Sequence, residues 1–152
     1  MTSARSYAQP IYAAGLGCER GCPAEVLREL MEQTLAAQGL DLGCLSALAS
    51  IGLKSDEAGM LELAKQLALP VHFFSAEQLA RYEDRLTQRS AIVLRETGCY
   101  GVAEAAALAL AEALSGGPAE LIIAKHKNAR ATFALARGYR ETLHLEDRRE
   151  RP

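Results

Sequence analysis

Apolar and polar positions fall into alternating blocks along this chain. Residues 10–14, PIYAA, form a short apolar stretch that runs into Gly15 and Gly17. Pro23, Ala24 and Glu25 follow with the proline-first, acid-early pattern of a helix start. Val26, Leu27, Leu30, Met31 and Leu35 then recur at helical spacing, and Gly39 supplies the stop. After a turn at residues 39–43, CLSALASIGL at 44–53 reads as a largely apolar buried strand, with Lys54 at its end and Ser55, Asp56 and Glu57 as the cap of a second helix. Leu61, Ala64 and Leu67 line that helix, which must end before Leu69-Pro70. VHFF at 71–74 reads as a third strand containing His72, and Ser75 with Gln78 makes a capping box.

Three strand-helix repeats in about eighty residues imply right-handed crossovers and parallel strands covered on both faces. AIVL at 91–94 fits a strand or a short buried helical segment equally. VAEAAALALAEAL at 102–114 is a strong helix whose alanines permit close approach to a sheet, ended by Gly116-Gly117-Pro118. Residues 120–124 and 131–136 read as two strands around the basic turn KHKNAR, and RETLHLEDRRERP as a frayed end. The predicted architecture is α/β, a three-layer α/β/α arrangement with a mostly parallel or mixed sheet of about five strands. One domain over residues 1–137 precedes a charged tail at 138–152.

Composition narrows the function classes. With 152 residues, 49% hydrophobic, the chain fits one compact domain, and its four cysteines are too few and too scattered for a disulfide framework. A net charge of −2 offers no long-range attraction to nucleic acid or anionic membranes. No N-terminal stretch or long apolar run suggests export or a membrane span, so a cytoplasmic protein is expected.

In an open parallel sheet the ligand lies beyond the carboxyl ends of the strands, so the residues just after each strand are the candidates. They are Gly15, Gly17, Cys18, Arg20 and Gly21 after the first, Lys54, Asp56 and Glu57 after the second, and Lys125 and Lys127 with His126 near the end. Glycine amides, a helix start and several cations predict a polyanionic ligand, while the same glycines also suit a tight turn without one. GLGCERG matches neither GxGxxG nor GxxxxGK[ST], so no nucleotide cofactor is expected. Cys18 and Cys22 flank a helix N-terminus, which favours either a reactive thiolate or two small buried residues. Cys44 and Cys99 read as packing. His72, His126 and His144 are dispersed, so no metal site is expected. Glu104 fits both a general base and a first-turn helix acid.

Read together, these blocks resemble the cobalamin-biosynthesis family made of CobE and the C-terminal domain of CbiG, over roughly residues 10 to 137. GLGCERG looks like the family's opening motif, IGLKSDEAG its second, and FFSAEQL, GVAEAAAL and AKHKNARATFALAR its later blocks in order. Glu19 and Cys22 depart from the opening motif, at a position often basic and at one commonly small or hydroxylated. The resemblance implies binding of a polycarboxylated precorrin or corrinoid intermediate, as carrier or accessory factor, with no cofactor. An alternative is a hydrolase or lyase on the same macrocycle, opening a lactone and releasing a two-carbon fragment, with Cys18 or Glu104 as the reactive group. A third is a structural partner of a precorrin methyltransferase.

Overall fold

The computed structural model describes residues 6–87 and 101–143, and the predicted segment at 91–94, Cys99 and His144 lie outside them. Its strands are β1 (Ser6–Cys18), β2 (Ala47–Ile51), β3 (Val71–Phe74), β4 (Ala119–Lys127) and β5 (Ala131–Leu143). They form one mixed sheet in the order β3-β2-β1-β5-β4. The first three are parallel, as their helical crossovers require, whereas β5 runs antiparallel to both β1 and β4.

Four helices cover the sheet among the described residues: α1 (Ala24–Ala36), α2 (Ala58–Leu67), α3 (Ala76–Ala80) and α4 (Val102–Ser115). Strand alternation divides them between two faces. In β1, Ala14 and Leu16 point towards α1 and α2, where Leu27, Leu30, Met31, Met60 and Leu63 meet Phe133 and Leu135 of β5 in one core. Ala13 points the other way and joins Ala134, Ala136, Leu79 and the apolar body of α4. Large side chains dominate one interlayer space, while the other is rich in alanine with a few leucines.

The small-residue face brings α4 unusually near. A Cβ at Gly15 would stand 1.8 Å from the Ala103 carbonyl oxygen, and one at Gly138 would stand 3.1 Å from that of Ala111. Gly15 is therefore a packing glycine within β1 rather than part of a ligand turn. It pairs with Ala49 on one side and Ala134 on the other.

Several boundaries move from their expected places. β1 continues through Gly15 and Gly17, and Lys125, His126 and Lys127 belong to β4, leaving only residues 128–130 as the turn. β2 is shorter than 44–53, because 3-10 turns at Leu42–Cys44 and Gly52–Lys54 flank it. α2 begins at Ala58 with Glu57 as its cap residue, so Ser55 does not cap it. The Ser75–Gln78 capping box forms in full. β5 takes in residues 138–143, which the sequence pattern assigned to a tail, because each pairs with a residue of Ser6–Ile11. His72 is exposed, since β3 lies at the sheet edge. No helix among the described residues is long and apolar enough to cross a membrane.

Candidate functional site

The carboxyl ends of β1 and β2 meet the end of β4, the start of β5 and the N-terminus of α4 around a cavity of about 660 Å³. It lies where β1 has a parallel neighbour on one side and an antiparallel one on the other. One wall is apolar, built from Ile51, Leu53, Val102 and Ala103. Gly101, at φ 52°, starts α4 without a side-chain cap, so the helix's first amides and its positive dipole end face this region.

Five cations line the cavity, and they fall into two groups. Arg20 and Arg130 have carboxylate partners: Arg20 Nη1 lies 3.2 Å from Asp56 Oδ1 and 3.5 Å from Glu57 Oε1, and Arg130 Nε lies 2.6 Å from Glu19 Oε1. Lys54, Lys125 and Lys127 have no ion-pair partner among the described residues. In a cavity that also has an apolar lining, this leaves three ammonium groups for an incoming anion.

The turn after β1 is tied down from two sides. Glu57, 4% exposed, accepts a hydrogen bond from the Gly21 N–H at 2.8 Å. The turn amide that the glycine pattern offers to a ligand is thus taken by a carboxylate of the chain itself. A Cβ at Gly59 would lie 2.0 Å from the Cys22 carbonyl oxygen, so the start of α2 presses directly on this turn. From the other side, the Glu19 N–H donates to the Arg130 carbonyl at 2.9 Å. Asn128 shapes the β4–β5 turn by accepting from the N–H groups of Arg130 and Ala131 at 2.9 and 2.8 Å.

The two candidate reactive groups, Cys18 and Glu104, are held in different ways. Burial pushes the Cys18 thiol up to about 11, and the nearby Lys54 only partly opposes it. Burial raises Cys22 as well, whose thiol points at the Pro23 carbonyl. At both thiols removal from water outweighs the neighbouring cations, which agrees with the reading of two small buried or half-buried residues. Glu104 is 1% exposed, and its carboxylate accepts from Thr87 N–H at 2.8 Å, Thr87 Oγ1 at 2.5 Å and Lys125 N–H at 2.8 Å. It ties α4 to β4 and to the segment after α3, and it is not among the residues that line the cavity.

Of the sequence candidates, Gly17, Cys18, Arg20, Lys54, Lys125 and Lys127 reach the cavity. Gly15, Gly21, Asp56 and Glu57 do not line it, although Asp56 and Glu57 pair with Arg20. His126 is exposed, with Nδ1 2.8 Å from the Ala124 carbonyl. Sequence reasoning missed the apolar wall and the partnership of Glu19 with Arg130. A turn-forming asparagine directly after β4 was the available signal for the tight β4–β5 turn that presents Arg130.

Residues 12–136 match the family model described as cobalamin synthesis G C-terminus. The chain belongs to this family. It is 43% identical over 122 residues to protein CobE of Sinorhizobium sp, covering 80% of this chain and 77% of that one. A crystal structure of CobE, a protein from the cobalamin biosynthetic pathway, superposes with a TM-score of 0.82 at 52% identity, covering 89% of this chain and 93% of that one. Cobalt-precorrin-5A hydrolase of Priestia megaterium is 33% identical over 130 residues, 86% of this chain but 33% of the hydrolase. The family membership identifies a cobalamin biosynthesis protein, and its cavity lies within the matched region.

Proposed function

We propose that this protein binds a polycarboxylated tetrapyrrole of the corrinoid series in the cavity and holds or hands it over without a covalent step. The observation that carries the proposal is that Lys54, Lys125 and Lys127, without ion-pair partners among the described residues, line one cavity together with the apolar residues Ile51, Leu53, Val102 and Ala103. Such a macrocycle has an apolar face and a rim of acetate and propionate carboxylates, which this wall and these ammonium groups complement. The volume falls in the range of roughly 300–1,000 Å³ typical of small-molecule sites.

Titration of the purified protein with hydrogenobyrinic acid, followed by the tetrapyrrole absorption and by mass analysis of the recovered pigment, tests the proposal. Saturable binding with unchanged mass is expected. Lys54→Ala and Lys125→Ala should each weaken it by about tenfold, the loss of one charge-assisted hydrogen bond at the low end of its ~1.5–3 kcal/mol range. Arg20→Ala should cost less, because Asp56 and Glu57 already engage its guanidinium. Absence of binding, or affinity indifferent to both lysines, would refute the assignment.

Hydrolysis of the same macrocycle is the second reading, favoured by the name of the Priestia megaterium relative. Against it stand the raised Cys18 thiol and the fully bonded Glu104 carboxylate. A change in the mass of the recovered pigment would decide for it.

A further inference from the structure

Glu19 supplies the carboxylate among the residues lining the cavity, in a set otherwise rich in cations. It stands in the turn directly after β1, while its partner Arg130 closes the turn between β4 and β5. The two turns are already joined by the backbone bond from the Glu19 N–H to the Arg130 carbonyl. The side-chain pair is therefore not needed to bring them together. Both side chains are partly exposed, at 38% for Arg130 and 57% for Glu19, so the pair is reached by solvent and by ligand alike.

We infer that Glu19 is an exchangeable internal counter-ion: it occupies the Arg130 guanidinium in the free protein, and a ligand carboxylate takes its place on binding. This rests on the cavity being the tetrapyrrole site. Lys54, Lys125 and Lys127 receive the first carboxylates, and Arg130 becomes available only to a ligand with a further carboxylate that displaces Glu19. Glu19 thus sets a threshold in ligand charge and makes the protein selective between macrocycles that differ in how many carboxylates remain free.

An exposed ion pair is weak enough to exchange, since solvent screening and side-chain entropy leave it below about 1 kcal/mol. The contrast with Arg20 is instructive. One of its two carboxylate partners, Glu57, is 4% exposed and bonded to a backbone amide, so that pairing is fixed by the fold. Glu19 makes no such second side-chain bond among the described residues.

The test compares wild type, Glu19→Gln, Arg130→Gln and the double variant in titrations with hydrogenobyrinic acid and with the same macrocycle partly amidated. Glu19→Gln should bind the fully carboxylated ligand about two- to fivefold more tightly, the scale of one exposed ion pair. The gain should vanish in the Arg130→Gln background and be small for the amidated ligand. Glu19→Asp keeps the charge and should stay near wild type, which separates loss of charge from a disturbed turn. Unchanged or weaker binding by Glu19→Gln, or a gain that persists without Arg130, would overturn the inference while leaving the cavity assignment intact. If wild type binds neither ligand, the cavity assignment itself falls.

Discussion

Cys18 lines the cavity half-buried, and burial pushes its thiol up to about 11 against the opposing pull of Lys54. With the pKa at about 11, only about one part in a thousand is ionised at pH 8. Alkylation by iodoacetamide, followed at Cys18 by peptide mass, should therefore be far slower than that of a free cysteine at pH 8 and should accelerate up to about pH 11. Rapid neutral-pH labelling would return this residue to the list of nucleophiles. The same shift has a sign for stability. The folded state favours the protonated thiol, so its contribution is complete below the ordinary value of 9.0 and is lost as pH rises towards about 11. Glu57 and Glu104 share a different residue-scale lesson. Each has a sufficient local explanation in the sequence, as a helix-start acid, and that explanation conceals a distant one: Glu57 binds Gly21, and Glu104 binds Thr87 and Lys125.

Among the elements, α4 and β1 have the tightest fit. Gly15→Ala places a methyl group 1.8 Å from the Ala103 carbonyl oxygen and 2.7 Å from the Ala107 nitrogen, so α4 must shift or β1 must bend. Overpacking of this kind costs about 1–3 kcal/mol, and more here because backbone rather than a flexible side chain obstructs it. A fall in the urea midpoint at constant slope should report the loss, and a midpoint equal to wild type would mean that the layers are not held at this spacing. Helices were legible because Leu27, Leu30, Met31 and Leu35 repeat at 3.6-residue spacing and Ser75 with Gln78 announces a start. Strand extent was not. In β1 the inward positions facing α4 are Ala13 and Gly15, which carry little hydrophobic signal, and Pro10 interrupts the pattern. The final residues of β5 are mixed in charge because they pair with β1 alone, beyond the register of the other strands.

Across the whole molecule, that register grades the stability of the sheet. Residues 13–15 of β1 lie between β2 and β5, under helices on both faces, whereas the pairing of Ser6–Gln9 with Arg140–Leu143 has no third strand beside it among the described residues. A two-stranded ribbon is marginal by itself. Amide hydrogen exchange should therefore be slowest at 13–16 and 133–136 and faster by orders of magnitude at 6–9 and 140–143. Uniform protection along β1 would show that something else covers the ribbon.

The place of the cavity beyond the carboxyl ends of β1 and β2 was legible from topology, and its five lining cations are basic residues at or near strand ends in the sequence. The way those cations are shared out was not, since pairing depends on which turns meet. Lys54, Lys125 and Lys127 come from the end of a 3-10 turn and from one strand, and the cavity gathers them in a chain whose net charge is −2. At separations well beyond the ~8 Å screening length a polyanion feels almost nothing of the chain's charge, and only close to this opening does it meet a local excess of cations. Encounters are thereby sorted by orientation before any contact is made. For the proposed carrier, capture rates should depend on which way the protein faces, and the same shallow reach would let a bound anion escape to a second acceptor that offers a stronger field at the rim.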